Sequence, residues 1–190
     1  MRRLVPILAL LLAACGGSAP PPPPLASGAV TSESIGVATG KPATWADVVL
    51  VNRGAQPITF RSIEPVSIAP GLRVLGVRIR VLGPNGDAAG NPNPAVSGSG
   101  FPPTGQPGVP VAGVRLDPVA GDDLRPQAEI LVGLAADSPG HYVLRGLRIG
   151  YRVNGVDDVG TVTHAVALCV ADPGDQPGAC QPPPITTGSG

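Results

Sequence analysis

Aromatic residues are scarce in this 190-residue chain, at 3% of the sequence. The five present are Trp45, Phe60, Phe101, Tyr142 and Tyr151. Sugar-binding platforms and single-stranded nucleic-acid sites stack their ligands on aromatic rings that lie close together. The small number and wide spacing of these rings argue against both kinds of site.

Methionine and histidine are rare too, since Met1 is the one methionine and His141 and His164 are the two histidines. Copper-handling domains that use Met and His would therefore lack ligands. His164 and Cys169 have opposite strand parity, so they are not predicted to share a metal ion. No Gly-x-Ser-x-Gly motif accompanies the histidines, so the chain lacks the sequence signature of a nucleophilic enzyme. We predict no catalytic residues, no metal and no cofactor.

An excess of positive charge is also lacking. Removal of residues 1–14 takes Arg2 and Arg3 from 13 basic residues and leaves 11 against 13 acidic ones, a net charge of −2. A protein that binds nucleic acid or an anionic membrane surface is normally basic. We therefore predict that nucleic acid is not a partner.

The N-terminus has the features of an export signal. Arg2 and Arg3 precede an apolar run at residues 4–12, which is far shorter than the roughly 20 residues of a membrane-spanning helix. The run closes on Leu12-Ala13-Ala14-Cys15, which resembles the lipobox of bacterial lipoproteins. A plain secretory signal is the alternative interpretation, because small residues before the cleavage site are common to both.

The lipobox resemblance implies cleavage after residue 14 and acylation of Cys15, by palmitate or a similar chain, as the new N-terminus. Two or three acyl chains anchor a protein stably to a membrane. The residue after Cys15 is glycine and not aspartate, which in a two-membrane host resembles lipoproteins sent to the outer membrane. The predicted location is thus the cell membrane or the outer membrane, facing away from the cytoplasm.

Residues 15–28 form a Pro-rich linker in which residues 20–24 are all proline. Such a run favours polyproline II, a stiff spacer of roughly 15 Å at about 3.1 Å per residue. The predicted role is a tether that lifts the following domain off the bilayer. A ligand for a proline-recognising module is the alternative.

Cys169 and Cys180 remain as one pair once Cys15 is assigned to the anchor. In an oxidising compartment such a pair forms a disulfide, here across a short segment rich in Gly and Pro. The chain-entropy model gives about 2–3 kcal/mol for closing a loop of this length. Two free thiols or a metal-binding pair are the alternatives.

Residues 29–172 read as a series of strands separated by Gly and Pro, with no helical apolar spacing. A phase change in the alternation predicts a bulge at Arg145-Gly146, and Asn154-Gly155 is a hairpin signal, although the next strand is expected only from residue 159. Residues 83–108 are predicted to be a long mobile loop, or an insertion, with almost nothing that can pack, and 173–190 a disulfide-tied tail, disordered from 181. The strands are predicted at 30–37, 43–52, 57–63, 72–82, 109–116, 127–134, 141–153 and 161–170.

About seven to nine short strands and no helices predict a β-sandwich. The segment 124–155 resembles the late strands of bacterial immunoglobulin-like domains, in which a Pro-containing turn precedes an apolar strand and a Gly-x-Tyr hairpin follows. Gly140-His141-Tyr142 is similar to that hairpin. The resemblance implies an immunoglobulin-like sandwich without the antibody-type bridge, because the cysteines are placed differently.

Arginines alternate with apolar residues on two predicted strands. In the first, Leu75, Val77, Ile79 and Val81 are predicted to face the core and Arg78 and Arg80 the solvent. If the two strands were neighbours, the stripes would form a basic face for an acidic protein partner. Solvation of an exposed sheet face is the alternative. The stripes comprise Arg73, Arg78 and Arg80, and Arg145, Arg148 and Arg152.

Three loop clusters, Asn85-Gly86-Asp87, Asp122-Asp123 and Asp157-Asp158, offer oxygen ligands of the kind calcium uses, but none has EF-hand spacing. Turn formation is the simpler interpretation of these residues. The sequence thus predicts a non-enzymatic, membrane-anchored envelope lipoprotein with a structural or binding β-sandwich. An accessory subunit that binds a protein partner through an Arg-rich face, and an uncharacterised enzyme, are the alternatives.

Overall fold

The computed structural model describes residues 24–28, 31–87, 93–120, 125–172, 174–178, 180–182 and 184. The predicted signal, Cys15, residues 15–23 of the linker, Asp122-Asp123 and residues 185–190 lie outside the described residues. Within that part of the chain, no helix has the length and apolar character needed to cross a membrane. The strands are β1 (Leu25–Ser27), β2 (Ser32–Ala38), β3 (Ala43–Asn52), β4 (Ile58–Ile68), β5 (Leu72–Leu82), β6 (Gly98–Ser99), β7 (Val109–Pro110), β8 (Arg115–Leu116), β9 (Gln127–Ala136), β10 (Gly140–Val153) and β11 (Val156–Ala171).

The strands form two sheets, which confirms the predicted β-sandwich. The first sheet has the order β1-β3-β9-β5-β7, with β6 added to β3, and the second has the order β2-β11-β10-β4-β8. Side chains that alternate along the long strands meet between the sheets, because successive residues of a strand point to opposite faces. The largest fully buried side chains are Trp45, Tyr151, Phe60, Leu50, Ile58, Ile79, Leu82, Leu116, Ile130, Leu131, Leu134 and Leu144.

The strand order is that of an immunoglobulin-like domain. In that fold, strands A, B, E and D form one sheet and strands C, F and G the other. Here β1, β3, β9 and β5 take the positions of A, B, E and D, while β4, β10 and β11 take those of C, F and G. The first strand is divided, because β1 pairs with β3 whereas β2 crosses to the second sheet and runs parallel to β11.

A tyrosine corner supports the same assignment. Tyr142 lies near the start of β10, and its hydroxyl donates a hydrogen bond to the Ser138 carbonyl, 3.0 Å away in the turn after β9. This is the position and bond of the tyrosine corner of immunoglobulin sandwiches. Gly71 lies against the ring, since a Cβ there would be 3.0 Å from a ring carbon. The Gly-x-Tyr pattern seen in the sequence is therefore this corner.

The hairpin of β10 and β11 contains the predicted bulge. Their register shifts between Arg145 and Leu147, and the intervening Gly146 has a φ of 75°. A side chain at Gly146 would be strained by that φ and would meet the Val162 carbonyl oxygen at 2.9 Å. The turn itself is tighter than predicted, because β11 starts at Val156, directly after Asn154-Gly155.

Two segments predicted to be irregular are part of the sandwich. Leu25–Ser27, assigned to the linker, pairs with the Leu50–Asn52 end of β3. Residues 93–108 also pack, because Gly98–Ser99 pairs with Thr44 and Ala43, and Ala95 is buried with Ala46 and Leu131. The prediction that this loop has almost nothing to pack is therefore wrong over 93–108. The segment covers the outer face of the first sheet.

Candidate functional site

Cys169 and Cys180 are joined by the predicted disulfide, with their Cα atoms 5.8 Å apart. Leu168 and Val170 point into the core, so Cys169 points to the outer face of β11. His141 lies directly opposite Cys169 in the β10–β11 register. We call these three residues, His141, Cys169 and Cys180, the disulfide corner. Their ligand atoms, one imidazole nitrogen and two sulfurs, all lie within 4.8 Å of one another.

The tail that carries Cys180 lies against the outer face of the second sheet. The Cys180 backbone N–H donates to Cys169 Sγ at 3.0 Å, and Arg145 donates to the Pro184 carbonyl at 3.0 Å. Gly36 of β2 permits this approach, because a Cβ there would be 2.6 Å from the Gly178 carbonyl oxygen. The tail thus contacts the sheet at Gly178, Cys180 and Pro184 and is not held by the disulfide alone.

Two surface cavities meet at the disulfide corner. One, of about 320 Å³, is bordered by all three of its residues together with Asp172 and Asp175. The other, of about 360 Å³, lies between His141 and Arg145 on the sheet and the prolines of the tail. His141 borders both cavities and is exposed. The disulfide corner is therefore accessible from solution on two sides.

The arginine stripes do not form one face. β5 lies in the first sheet and β10 in the second, so the condition for a combined basic face is not met. Arg78 is half-buried and donates to the carbonyls of Pro107 and Gly108 at 2.5 and 2.8 Å. Arg148 and Arg152 do lie on the second sheet, with Arg148 3.7 Å from Glu64.

The prediction that Arg80 faces solvent is wrong. Its side chain is 1% exposed and contacts Glu129 at 2.5 Å and Asp87 at 2.8 Å. The segment 93–108 covers this face of the sheet, and Arg80 also donates to the Asn93 carbonyl at 3.2 Å. The inward assignment of Leu75 is wrong as well, since a register shift between Val74 and Gly76 leaves it 41% exposed.

Glu129 is enclosed on all sides. Burial raises the pKa of its carboxyl, although the Ala95 N–H and the Arg80 guanidinium both favour the charged form. Its Oε2 accepts from both groups, whereas Oε1 is buried with no hydrogen-bond partner. Arg80 on β5 and Glu129 on β9 bond to each other and to the segment 93–108 that covers them. We therefore assign this buried pair a structural role.

A second polar cluster, partly buried and centred on the buried His164, lies where β2, β3 and β11 meet. Thr31 Oγ1 donates to Asp47 and lies 2.7 Å from Nδ1 of His164. Because the threonine has only one hydroxyl hydrogen, Nδ1–H of His164 is the donor in the second contact. Burial lowers the pKa of His164, and the nearby Asp47 carboxylate offsets only part of that effect.

Glu33 and Ser97 continue this cluster. Ser97 Oγ donates to Glu33 at 2.6 Å and accepts from the Ala46 N–H at 2.9 Å. Burial raises the pKa of Glu33, and the negative charge of Asp47 adds to the increase. A nucleophile–histidine–acid order is absent from this group, because the threonine lies between the acid and the histidine.

The loop carboxylates considered for calcium are paired with protein groups where the structure describes them. Asp87 contacts Arg80, and Asp157 contacts Arg152 at 2.8 Å. Asp158 accepts the hydroxyl hydrogen of Tyr151 at 3.0 Å. These contacts give each of the three carboxylates a partner within the chain.

No known family model matches the sequence, and no curated protein is significantly similar to it. Among solved structures, the PapD-like domain 7 of human CEP192 has a TM-score of 0.40 and 12% identity, over 91% of this chain and 99% of that domain. The CooA pilin subunit of enterotoxigenic Escherichia coli has a TM-score of 0.39 and 13% identity, over 78% and 99%. The VesB protease of Vibrio cholerae has a TM-score of 0.40 and 11% identity, over 77% of this chain but only 32% of the protease. At these TM-scores the similarities assign no function.

Proposed function

We propose that this chain is a lipid-anchored envelope protein whose immunoglobulin-like sandwich acts outside the cytoplasm as a non-catalytic binding module. The disulfide between Cys169 and Cys180 carries the proposal. Structural disulfides persist in oxidising compartments and are rare in the cytosol. The bond therefore agrees with the export and acylation signal at Leu12-Ala13-Ala14-Cys15.

The position of β1 supports the anchoring. Strand pairing begins at Leu25, ten residues after Cys15, and Pro24 accepts a hydrogen bond from the Arg53 N–H at 2.7 Å. The sequence between them contains the proline run at 20–24. A stiff spacer of this length would hold the sandwich near the membrane but clear of it.

A non-catalytic role is supported by the pairing of the buried polar groups. Glu33, Glu129 and His164, whose pKa values burial shifts, each bond to another protein group through one side-chain atom, and Glu129 Oε1 and His164 Nε2 are buried without a partner. An active site instead presents such groups to a cleft where a substrate can reach them. The fold itself selects no ligand.

The binding surface that we propose is the outer face of the second sheet. Arg148 and Arg152 are 60% and 39% exposed there, and Arg61 and Arg145 are close by. Glu64 and Asp157 are the carboxylates paired with Arg61, Arg148 and Arg152, so these arginines outnumber their carboxylate partners. We call these four arginines the arginine face and propose that it binds an acidic envelope protein.

The anchor is tested by membrane fractionation of cells that express the wild type and Cys15→Ser. We expect the wild type in the membrane fraction and the variant in the soluble extracytoplasmic fraction. Equal membrane association of the two proteins would show that Cys15 does not carry the anchor.

The arginine face is tested with the double variant Arg148→Glu and Arg152→Glu. We expect the double variant to lose the salt-sensitive association with partners crosslinked in intact envelopes, because charge attraction between exposed groups is screened by salt. Arg73→Glu is the matched control, since Arg73 is similarly exposed and paired with Asp137 but lies on the other sheet. Wild-type association by the double variant would reject this surface.

A further inference from the structure

We propose that reduction of the Cys169–Cys180 bond converts the disulfide corner into a binding site for Zn²⁺. Thiolate and imidazole are the ligands that zinc prefers, and three protein ligands with an open fourth position are a common zinc arrangement. His141, Cys169 and Cys180 supply this set with their ligand atoms within 4.8 Å of one another. The proposal is independent of the lipid anchor and of the arginine face.

The backbone positions two of the ligands before any metal binds. His141 and Cys169 are cross-strand partners, so the pairing of β10 with β11 fixes their separation. Cys180 lies in the tail, outside the sheet, so strand pairing does not fix its position. Tetrahedral zinc with Zn–S bonds of about 2.3 Å needs its two sulfurs about 3.8 Å apart. A small outward shift of Cys180 from its bonded position provides that distance without a change in the sheet.

The surroundings of the sulfurs suit a metal site. The Cys180 N–H already donates to Cys169 Sγ at 3.0 Å, and hydrogen bonds to ligand atoms orient and tune metal centres. Asp172 and Asp175 border the same cavity of about 320 Å³, so two carboxylates line the pocket from which a cation would enter. The cavity is open to solvent, which gives the ion a path of entry.

The chemistry needs a dithiol reductant. The dithiol transfers two electrons and two protons to the Cys169–Cys180 bond, which becomes two thiols, and is itself converted to a cyclic disulfide. Zn²⁺ then displaces the two thiol protons and binds the resulting thiolates together with the neutral imidazole of His141. The site is therefore closed to metal in the oxidised protein and available in the reduced protein.

The experiment uses the full chain with Cys15→Ser, so that Cys169 and Cys180 supply its only thiols. Zinc binding is measured by competition with a chromophoric chelator, before and after reduction by a dithiol that is then removed without air. Co²⁺ replaces Zn²⁺ in a parallel series, because cobalt–thiolate absorption reports coordination by sulfur. Circular dichroism follows the fold in every sample.

We expect one zinc ion per reduced chain and none per oxidised chain. His141→Gln should weaken binding at least about tenfold, whereas Arg115→Gln, at an exposed arginine of the same sheet that pairs with Asp117, should leave the affinity unchanged. His141 is exposed, so its replacement does not threaten the fold. Equal affinity of His141→Gln and the parent, zinc binding by the oxidised chain, or a reduced chain without zinc affinity would each overturn the proposal.

Discussion

The guanidinium of Arg80 lies 2.5 Å from the carboxylate of Glu129, and both side chains are enclosed between the first sheet and the segment 93–108. The two residues are cross-strand partners in the first sheet, and Asp87 and the Asn93 carbonyl complete the surroundings of the arginine. Removing one member of a buried ion pair leaves a charge that neither water nor a partner stabilises. The pair therefore helps to hold the segment 93–108 on the sheet, through the Asn93 carbonyl and the Ala95 N–H.

Replacing Arg80 with Met should lower the free energy of unfolding by about 3–5 kcal/mol, measured by urea denaturation. The double variant Arg80→Met and Glu129→Leu should be more stable than the single variant, because it removes the buried carboxylate as well. Arg73→Met is the control and should change stability by less than about 1 kcal/mol, since its pair with Asp137 is exposed. A loss at Arg80 as small as that at Arg73 would contradict the structural role.

The contact between Phe101 and Gly133 predicts a specific coupling. A Cβ at Gly133 would be 2.4 Å from the nearest ring carbon of Phe101, so Gly133→Ala forces the ring to move. We expect a loss of about 1–3 kcal/mol, the usual cost of overpacking. In the Phe101→Ala background the same alanine should cost much less. A double-mutant cycle measures this difference, and strictly additive effects would show that the ring does not lie over Gly133.

The lowered pKa of His164 predicts a pH dependence of stability. The ordinary pKa of histidine is 6.5. Below this pH, His164 binds a proton in the unfolded chain but stays neutral in the folded chain. The stabilisation is thus complete above that pH and is lost as the pH falls towards the lower pKa of the folded protein.

His164→Gln should reduce the loss of unfolding free energy between pH 7 and pH 5, measured by urea denaturation at each pH. His141→Gln, at the exposed histidine, is the matched control and should keep the wild-type slope. Glu33 acts in the opposite sense, because its pKa is raised above 4.5: its contribution is complete below pH 4.5 and is lost as the pH rises through the higher pKa of the folded protein. An unchanged slope in His164→Gln would show that this residue is not the cause.

The alternation of apolar residues was sufficient to predict the sandwich and most of its strands. The alternation was misleading at Arg80. Its side chain points away from the core as predicted, but the segment 93–108 covers that face of the sheet and buries it. The covering segment 93–108 is held by Ser97, by backbone pairing at Gly98–Ser99 and by the ring of Phe101. Such contacts have no sequence period, so a Gly- and Pro-rich stretch gives no sign that it packs.

The approach of His141 to Cys169 depends on register. A hairpin that turns at Asn154-Gly155, with one extra residue at Gly146, places His141 opposite Cys169. Both signals were present in the sequence, but the strand after the turn was expected to begin three residues too late. Which residues face each other across two strands depends on the number of residues between them. An error of one residue at the turn therefore assigns every residue the wrong partner.

The central claim is that a disulfide-bonded sandwich is anchored outside the cytoplasm through Cys15. Intact-mass spectrometry of the protein extracted from its native membrane, with and without reductant, tests it most directly. The account predicts a chain that begins at Cys15 and carries acyl chains, and a gain of about 2 Da on reduction, the mass of two hydrogens. An unacylated chain, or a mass that reduction leaves unchanged, would contradict it.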